Sequence, residues 1–244
     1  MQLSDITVVL PTLNEEKNIG NFLASLPDGC RLILVDAGND QTAEIVSRHR
    51  SPESTQVVKL KSTISEARQV GAEMAGTEWV LFTDADVVFA PGYFQGLSRY
   101  DEFGCVYGPK LSPTGFCRYY RWFAYGQWFS HKMGIPAASG SNLLIRRDIV
   151  SGVGGFDPEL VCNEDSELVW RIKRAGYRIA FAPELVVYAM DHRRLERGLF
   201  RKTLHSVFRC LLLYWDLIPA RWRKRDWGYW SQARESESSA STLD

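Results

Sequence analysis

Three short clusters in this 244-residue chain carry side chains that can do chemistry. Asp84-Ala85-Asp86 directly follows the apolar run 79–83 and sets two carboxylates one residue apart. In an extended segment the side chains at i and i+2 share a face, so acids placed this way repel each other unless a cation lies between or beside them. A hard divalent ion with oxygen ligands suits such a pair. Mg2+ or Mn2+ bridging a diphosphate is the expected occupant, and a solvated acidic turn is the plainer alternative. Asp36 closes another apolar run at the edge of the sheet, where a carboxylate could accept the N–H of a nucleobase. The turn Ala37-Gly38-Asn39-Asp40-Gln41-Thr42 follows it, with Asp40 placed to cap the next helix. Asn163-Glu164-Asp165-Ser166-Glu167 opens a third segment with three acids in five residues. Acids in a first turn favour the helix dipole. A carboxylate turned back toward the sheet by the loop Gly152-Val153-Gly154-Gly155-Phe156-Asp157 could also act as a general base on a hydroxyl.

These clusters need elements to hold them. The runs 6–10, 31–35, 56–60 and 79–82 are short, apolar and rich in β-branched residues, as strands are. Between them, residues 16–26, 42–50 and 64–75 show helical spacing, with Ile64, Ala67, Val70, Gly71 and Met74 on one face of the last. Such alternation predicts right-handed βαβ units, hence an α/β fold with a mostly parallel sheet and helices on both faces. Ligands of such sheets bind beyond the carboxyl ends of the strands. The functional segments are therefore residues 11–15, 36–40 and 83–86. An aromatic stretch over 107–133 reads as a helix over the core or as a wall of an acceptor pocket. A further apolar segment over 137–145 and a helix over 165–175 follow.

Composition narrows the class. An apolar fraction of 45% with 24% charged residues fits a globular domain and argues against a disordered chain. Lys plus Arg equals Asp plus Glu at 29 each, so whole-chain charge gives no reason to expect a nucleic-acid partner. Residues 191–230 nevertheless carry ten Lys/Arg against four Asp/Glu, a net +6 that the rest balances. The five cysteines are scattered and lack C-x-x-C spacing, which fits a reducing cytoplasm better than a disulfide framework or a zinc site. No run reaches the ~18 apolar residues of a membrane span. No P-loop or strand-linked G-x-G-x-x-G is present, which sets aside the usual NTPase and dinucleotide sites.

Seven segments in order make a recognisable set: Pro11-Thr12-Leu13-Asn14-Glu15, Val35-Asp36-Ala37-Gly38-Asn39-Asp40-Gln41-Thr42, Glu66-Ala67-Arg68-Gln69, Asp84-Ala85-Asp86, Gly140-Ser141-Asn142 through Arg147, Gly154-Gly155-Phe156-Asp157, and Glu164-Asp165 through Arg171. Over residues 5–190 the chain resembles the family 2 glycosyltransferases, inverting enzymes of the GT-A fold. The resemblance implies that Asp36 binds the base, that Pro11, Asn14 and Glu15 line the nucleoside pocket, and that Arg68 faces the diphosphate. It implies that Asp84 touches the ribose or the metal shell, that Asp86 ligates Mg2+ or Mn2+ directly, and that Gly140, Ser141 and Asn142 border the sugar or acceptor. Asp165 becomes the catalytic base, with Glu164 its rival. Ala37 and Gln69 depart from the family's common Asp and Asn. The implied reaction moves one sugar from a nucleotide-diphosphate donor, UDP by default with GDP and dTDP as alternatives, to a glycan or lipid-linked acceptor. The Gln-x-x-Arg-Trp signature of processive members is incomplete at Ile218-Pro219-Ala220-Arg221-Trp222, which favours single transfer. A sugar nucleotidyltransferase and an inactive sugar-nucleotide-binding scaffold are the competing readings.

The chain thus divides into a GT-A domain over 1–190, a basic amphipathic helical extension over 191–230 and a disordered Ser-rich tail over 231–244. In the extension, Leu204, Val207, Phe208, Leu211, Leu212, Trp215 and Ile218 follow one helix face, with Lys202, His205, Ser206 and Arg209 off it. That face could pack on the core or pair two copies as a homodimer. With the cations and aromatics of residues 221–230 it could instead dock peripherally on the inner face of a membrane.

Overall fold

In the computed structural model, which describes residues 1–160 and 162–196 together with 208–210, 212, 214 and 217, the apolar runs form strands and the periodic segments form helices. In chain order the elements are β1 (Ile6–Thr12), α1 (Ile19–Ser25), β2 (Arg31–Asp36), α2 (Thr42–His49), β3 (Thr55–Lys59), α3 (Ile64–Met74) and β4 (Trp79–Thr83). They continue with β5 (Val87–Phe89), α4 (Tyr93–Gly96), β6 (Cys105–Tyr107), β7 (Lys110–Leu111), α5 (Cys117–Lys132) and β8 (Asn142–Arg146). The last described elements are α6 (Arg147–Gly152), α7 (Glu164–Arg174), β9 (Ile179–Phe181), β10 (Val187–Ala189) and α8 (Arg193–Glu196).

The main sheet runs in the order β3-β2-β1-β4-β8-β6-β9. Only β8 is antiparallel to its neighbours, so the sheet is mixed and mostly parallel. A smaller sheet, β5-β10-β7, stands beside it. Because side chains alternate along a strand, the buried strands feed two cores. Ile6, Val8, Leu10, Leu32, Leu34, Trp79, Leu81 and Leu144 point to the face covered by α1, α2 and α4. Val9, Ile33, Val35, Val80, Phe82, Leu143 and Ile145 point to the face covered by α3, α6 and α7.

Several expectations shift. The first helix begins at Ile19 and not near residue 16: residues 16–18 form a turn, while the Glu15 and Glu16 N–H groups are tied to Thr42 Oγ1 (3.0 Å) and Asp40 Oδ2 (2.9 Å) of the neighbouring loop. Asp40 is not the N-cap of α2: Gln41 holds that place, and Asp40, one residue before it, accepts the Thr42 N–H on its Oδ1 at 3.0 Å. The aromatic stretch is a helix, α5, but most of it does not lie over the core: only Tyr120 and Gln127 of it are buried. Asp36 sits at the carboxyl end of an interior strand, flanked by β1 and β3. The amphipathic segment 202–218 falls largely outside the described residues, and 219–244 wholly so. Of that segment, Phe208 to Cys210, Leu212 and Tyr214 are helical. Arg209, expected on the outer face, is the buried residue there, and Phe208, expected on the packed face, is 50% exposed.

Helix α3 lies so close to β1 that a Cβ on Gly71 would collide with both methyl groups of Val9. Gly71→Ala should destabilise the fold by about 1–3 kcal/mol through overpacking. A lowered urea midpoint with an unchanged slope would show it.

Candidate functional site

The carboxyl ends of β1, β2 and β4 meet at one rim of the sheet, and each delivers an acidic group. Asp36 is buried at the end of β2. Its Oδ1 accepts the Thr12 hydroxyl at 2.8 Å and the Gly38 N–H at 3.1 Å, and its Oδ2 accepts Lys59 Nζ at 2.6 Å. The hydrogen bond from Lys59 to Asp36 holds the ammonium above its ordinary pKa. Asn14 adopts a left-handed backbone (φ 55°) and its Oδ1 accepts the Asn39 N–H at 3.0 Å, so the loops after β1 and β2 are stitched together. A Cβ on Gly38 would strike the Asn14 backbone N–H and amide oxygen. Pro11 stays in β1, paired with Val35. Glu15 receives Arg193 through both carboxylate oxygens at 3.0 Å, which ties the segment after β10 to the segment after β1.

The centre of the rim is Arg68. Helix α3 starts with a capping box at Thr63 and Glu66, which fixes its first turns and carries Arg68 under the sheet edge, where it is 2% exposed. One guanidinium arm donates to Glu164 and the other to Asp84 Oδ1 at 2.9 Å. The guanidinium lies against Gly140, where any Cβ would overlap it. Asp84 Oδ2 accepts the Ser141 hydroxyl. The backbone N–H of Gly140 donates to Asp165 Oδ2 at 2.6 Å, and the Ser166 N–H donates to Asp165 Oδ1 at 2.6 Å. Arg68, Asp84, Gly140, Ser141, Glu164 and Asp165 are thus one connected cluster.

Burial sets the proton affinities here. Loss of hydration pushes the Glu164 carboxyl up to about 7, with Arg68 opposing the rise and the adjacent Asp165 adding to it. Asp165 is also raised by burial, against the pull of Arg68 and its two backbone N–H bonds. Asp165 keeps some solvent exposure whereas Glu164 is buried, so Asp165 is the one open to an incoming group.

The loop 152–157 does return the chain to the sheet. Gly154 and Gly155 take positive φ (88° and 71°), the Phe156 N–H reaches Gln69 Oε1 at 2.8 Å, and Arg171 donates to Gly155 O at 2.6 Å while paired with Glu167. Gln69 therefore serves the loop. Asn142 differs from its expected place at the sugar: it is 1% exposed, its Nδ2 donates to Leu185 O (2.7 Å) and Pro109 O (3.3 Å), and its Oδ1 accepts the Tyr93 hydroxyl (2.6 Å). It braces the two sheets.

Ala85 and Asp86 form a turn, so the two carboxylates of the motif do not share one extended face. Each instead has its own cation, Arg68 on Asp84 and Lys110 on Asp86 (3.1 Å). Among the described residues no group of three or more acidic, His or Cys side chains is gathered for a metal. The donor chemistry still fits a hard divalent ion. Only one oxygen of Asp86 is hydrogen-bonded, the Asp86 carbonyl accepts the Met190 N–H at 2.8 Å, and two residues beyond Met190 the buried Nδ1 of His192 has no hydrogen-bond partner. His192, Lys59, Lys110 and Arg193 escaped sequence reasoning. Lys59 had a signal, since its register partner across the parallel β2–β3 pair is Asp36. The other three residues lie outside the family's recognisable segments.

A Rossmann-like sheet with this acidic rim defines the class as a nucleotide-sugar-type transferase fold. Residues 7–154 match the family described as glycosyl transferase family 2, and the chain belongs to that family. It is 27% identical over 222 residues to the pre-mycofactocin glycosyltransferase of Mycobacterium tuberculosis, covering 83% of this chain and 46% of that protein. To the succinoglycan biosynthesis protein ExoA of Rhizobium meliloti it is 25% identical, covering 70% and 59%. The chain thus spans about half the length of these curated relatives. Its fold is similar to that of the mannosyltransferase PcManGT from Pyrobaculum calidifontis in complex with GDP-Man and Mn2+, with a TM-score of 0.65 and 18% identity over 98% of this chain and 76% of that one. S. aureus TarS 1–349 in complex with UDP-GlcNAc gives 0.64 at 18% identity, over 91% and 73%.

Removing the central cation tests the electrostatics. Arg68→Met strands the buried Glu164 and the partly buried Asp84 and should cost about 3–5 kcal/mol near neutral pH. Without Arg68 the Glu164 pKa rises further, so the variant binds this proton when folded and not when unfolded over a wider range. Its deficit relative to wild type should shrink as pH falls from about 8 to about 5, measured by denaturant midpoints across pH.

Proposed function

We propose that the protein transfers a single sugar from a nucleotide-diphosphate sugar to a hydroxyl of a lipid-linked or cell-envelope glycan, with inversion at the anomeric carbon. The observation that carries this reading is Asp165, a partly buried carboxylate whose oxygens are held by the N–H groups of Gly140 and Ser166, beside the Arg68–Asp84 pair at the rim where β1, β2 and β4 end. A relative acting in succinoglycan biosynthesis and fold neighbours holding UDP-GlcNAc or GDP-Man support the donor and acceptor classes. UDP is the expected base carrier.

Asp36 is buried with both oxygens taken by Thr12, Gly38 and Lys59, so in place of the expected base contact it anchors the loop at Gly38, and Pro11, Asn14 and Glu15 border the nucleoside. Asp86, with Asp84 beside it, would hold Mg2+ or Mn2+, which when bound supplies positive charge to the departing diphosphate. Arg68 fixes Asp84 in place and adds a buried positive charge beside the diphosphate. Asp165 takes the proton of the acceptor hydroxyl as that oxygen bonds to the anomeric carbon. The bond from that carbon to the donor phosphate oxygen breaks on the opposite side, its electron pair leaving with the nucleoside diphosphate. The burial that raises Asp165 makes it a stronger base than an ordinary aspartate. This reading puts the protein at the cytoplasmic face of the membrane. Among the described residues no helix is long and apolar enough to cross one.

Asp165→Asn should lower kcat by about 10²–10⁴ while leaving donor binding by thermal shift unchanged. A mild Asp165→Asn beside a crippling Glu164→Gln would reassign the base. The rate should rise with pH as Asp165 ionises, its carboxyl being raised by burial. Asp86→Ala should weaken nucleoside diphosphate binding more than nucleoside binding, and full activity in EDTA would remove the metal from the mechanism.

A further inference from the structure

Helix α5 is placed in a way that the transfer reaction does not explain. It is 16 residues long, and its outward side is aromatic. Trp122 is 63% exposed, Tyr125 61%, Phe129 53% and Met133, just past its end, 67%. At spacings of three and four residues these four form one stripe along the helix. Arg118, Arg121 and Lys132 are exposed on the same half of the helix, and Trp128 lies against Tyr125 with tilted rings, centroids 5.5 Å apart. A water-facing helix has no use for such a stripe, since large contiguous apolar patches on a protein surface mark a partner.

We propose that this face of α5 docks on a bilayer containing anionic lipid. The chemistry of the stripe selects that partner. Trp and Tyr present an apolar body and a polar edge, which places them at lipid headgroups, with cations beside them to meet negative lipid. Charge complementarity is one-sided: from residue 103 to residue 147 the chain has no Asp or Glu, and Arg118, Arg121 and Lys132 of the helix are exposed beside the stripe. A second exposed apolar group lies at the same end of the molecule. Leu217 is 62% exposed, in the segment that Tyr214 ties to Pro136, with its hydroxyl 2.6 Å from Pro136 O.

The helix is also coupled to the site. Gln127 Nε2 donates to Ala137 O at 2.7 Å and Ser166 Oγ donates to Ala138 O at 3.1 Å. The segment joining α5 to Gly140 is therefore clamped between α5 and the start of α7, where Asp165 sits. A bilayer on the outer face of α5 would bring lipid-borne hydroxyls to that rim. This inference rests on the proposed lipid-linked acceptor and adds the surface that presents it.

Co-sedimentation of the full chain with sucrose-loaded vesicles tests it, comparing phosphatidylcholine alone with phosphatidylcholine mixed with phosphatidylglycerol. The wild type should bind the mixed vesicles and bind less as salt rises. Trp122→Ser with Phe129→Ser should reduce the partition coefficient at least about tenfold. Arg118→Glu with Arg121→Glu should remove the preference for anionic lipid, and this pair carries the test if the first does not fold. Both should keep nucleotide binding by thermal shift, since none of these side chains belongs to the site. Three results would overturn the proposal: no binding at low salt; binding unchanged in both pairs, which would place attachment elsewhere, as in residues 202–230; or a wild-type dimer that the aromatic pair splits, which would make a second copy the partner. Transfer to a lipid-linked acceptor in detergent without vesicle binding would defeat the docking surface alone. Vesicle binding with transfer only to soluble acceptors would defeat the acceptor reading alone.

Discussion

The buried guanidinium of Arg68 is the constraint around which the rim is built. An unpaired charge at 2% exposure would cost several kcal/mol, so the chain must bring it partners, and it brings them from two distant segments. Asp84 comes from the end of β4 and Glu164 from the start of α7. Satisfying Arg68 thereby fixes where α7 begins, and with it the position of Asp165. Gly140 follows from the same constraint, because the guanidinium occupies the space of any side chain there.

Charge compensation repeats around the rim. Lys59 meets Asp36, Lys110 meets Asp86 and Arg193 meets Glu15, each cation arriving from a different element than its acid. The concentration of acids that the sequence displays is thus largely neutralised by the fold. A ligand bearing a diphosphate would enter a site whose positive groups are already positioned. Each of these pairs also fastens a loop: Arg193 holds the segment after β10 to the segment after β1, and Lys59 holds the end of β3 to the turn at Gly38, whose carbonyl it also approaches at 3.3 Å.

The two-core architecture gives this rim a rigid base. Alternate residues of β1, β2 and β4 fill opposite cores, so a slip of one residue in any of them would put the wrong set on each face. The same locking positions Thr12, Asp36 and Thr83 at strand ends. Outside this base the chain is built differently: α5 rests on the protein through few residues and leaves its aromatic side outward.

The sequence by itself determined the first four strands, the helices between them and the order of the acidic clusters. Those depend on local periodicity, β-branched runs and turn residues, which any short window contains. It also made the return of the chain through Gly154 and Gly155 legible, because positive φ there calls for glycine. Only the tertiary structure decided which charges pair. Lys110 and Asp86 are 24 residues apart and Arg68 and Glu164 are 96 apart, and no local pattern encodes such distances. Asn142 shows the same limit, since its neighbours in sequence belong to a familiar motif while its amide is spent on Tyr93, Pro109 and Leu185. The aromatic helix shows it again: its composition suited a core or a pocket wall, and only packing against β7 and β9 left that side in the open. Periodicity reveals that a face exists, but what lies against it is settled by contacts between segments far apart in the chain.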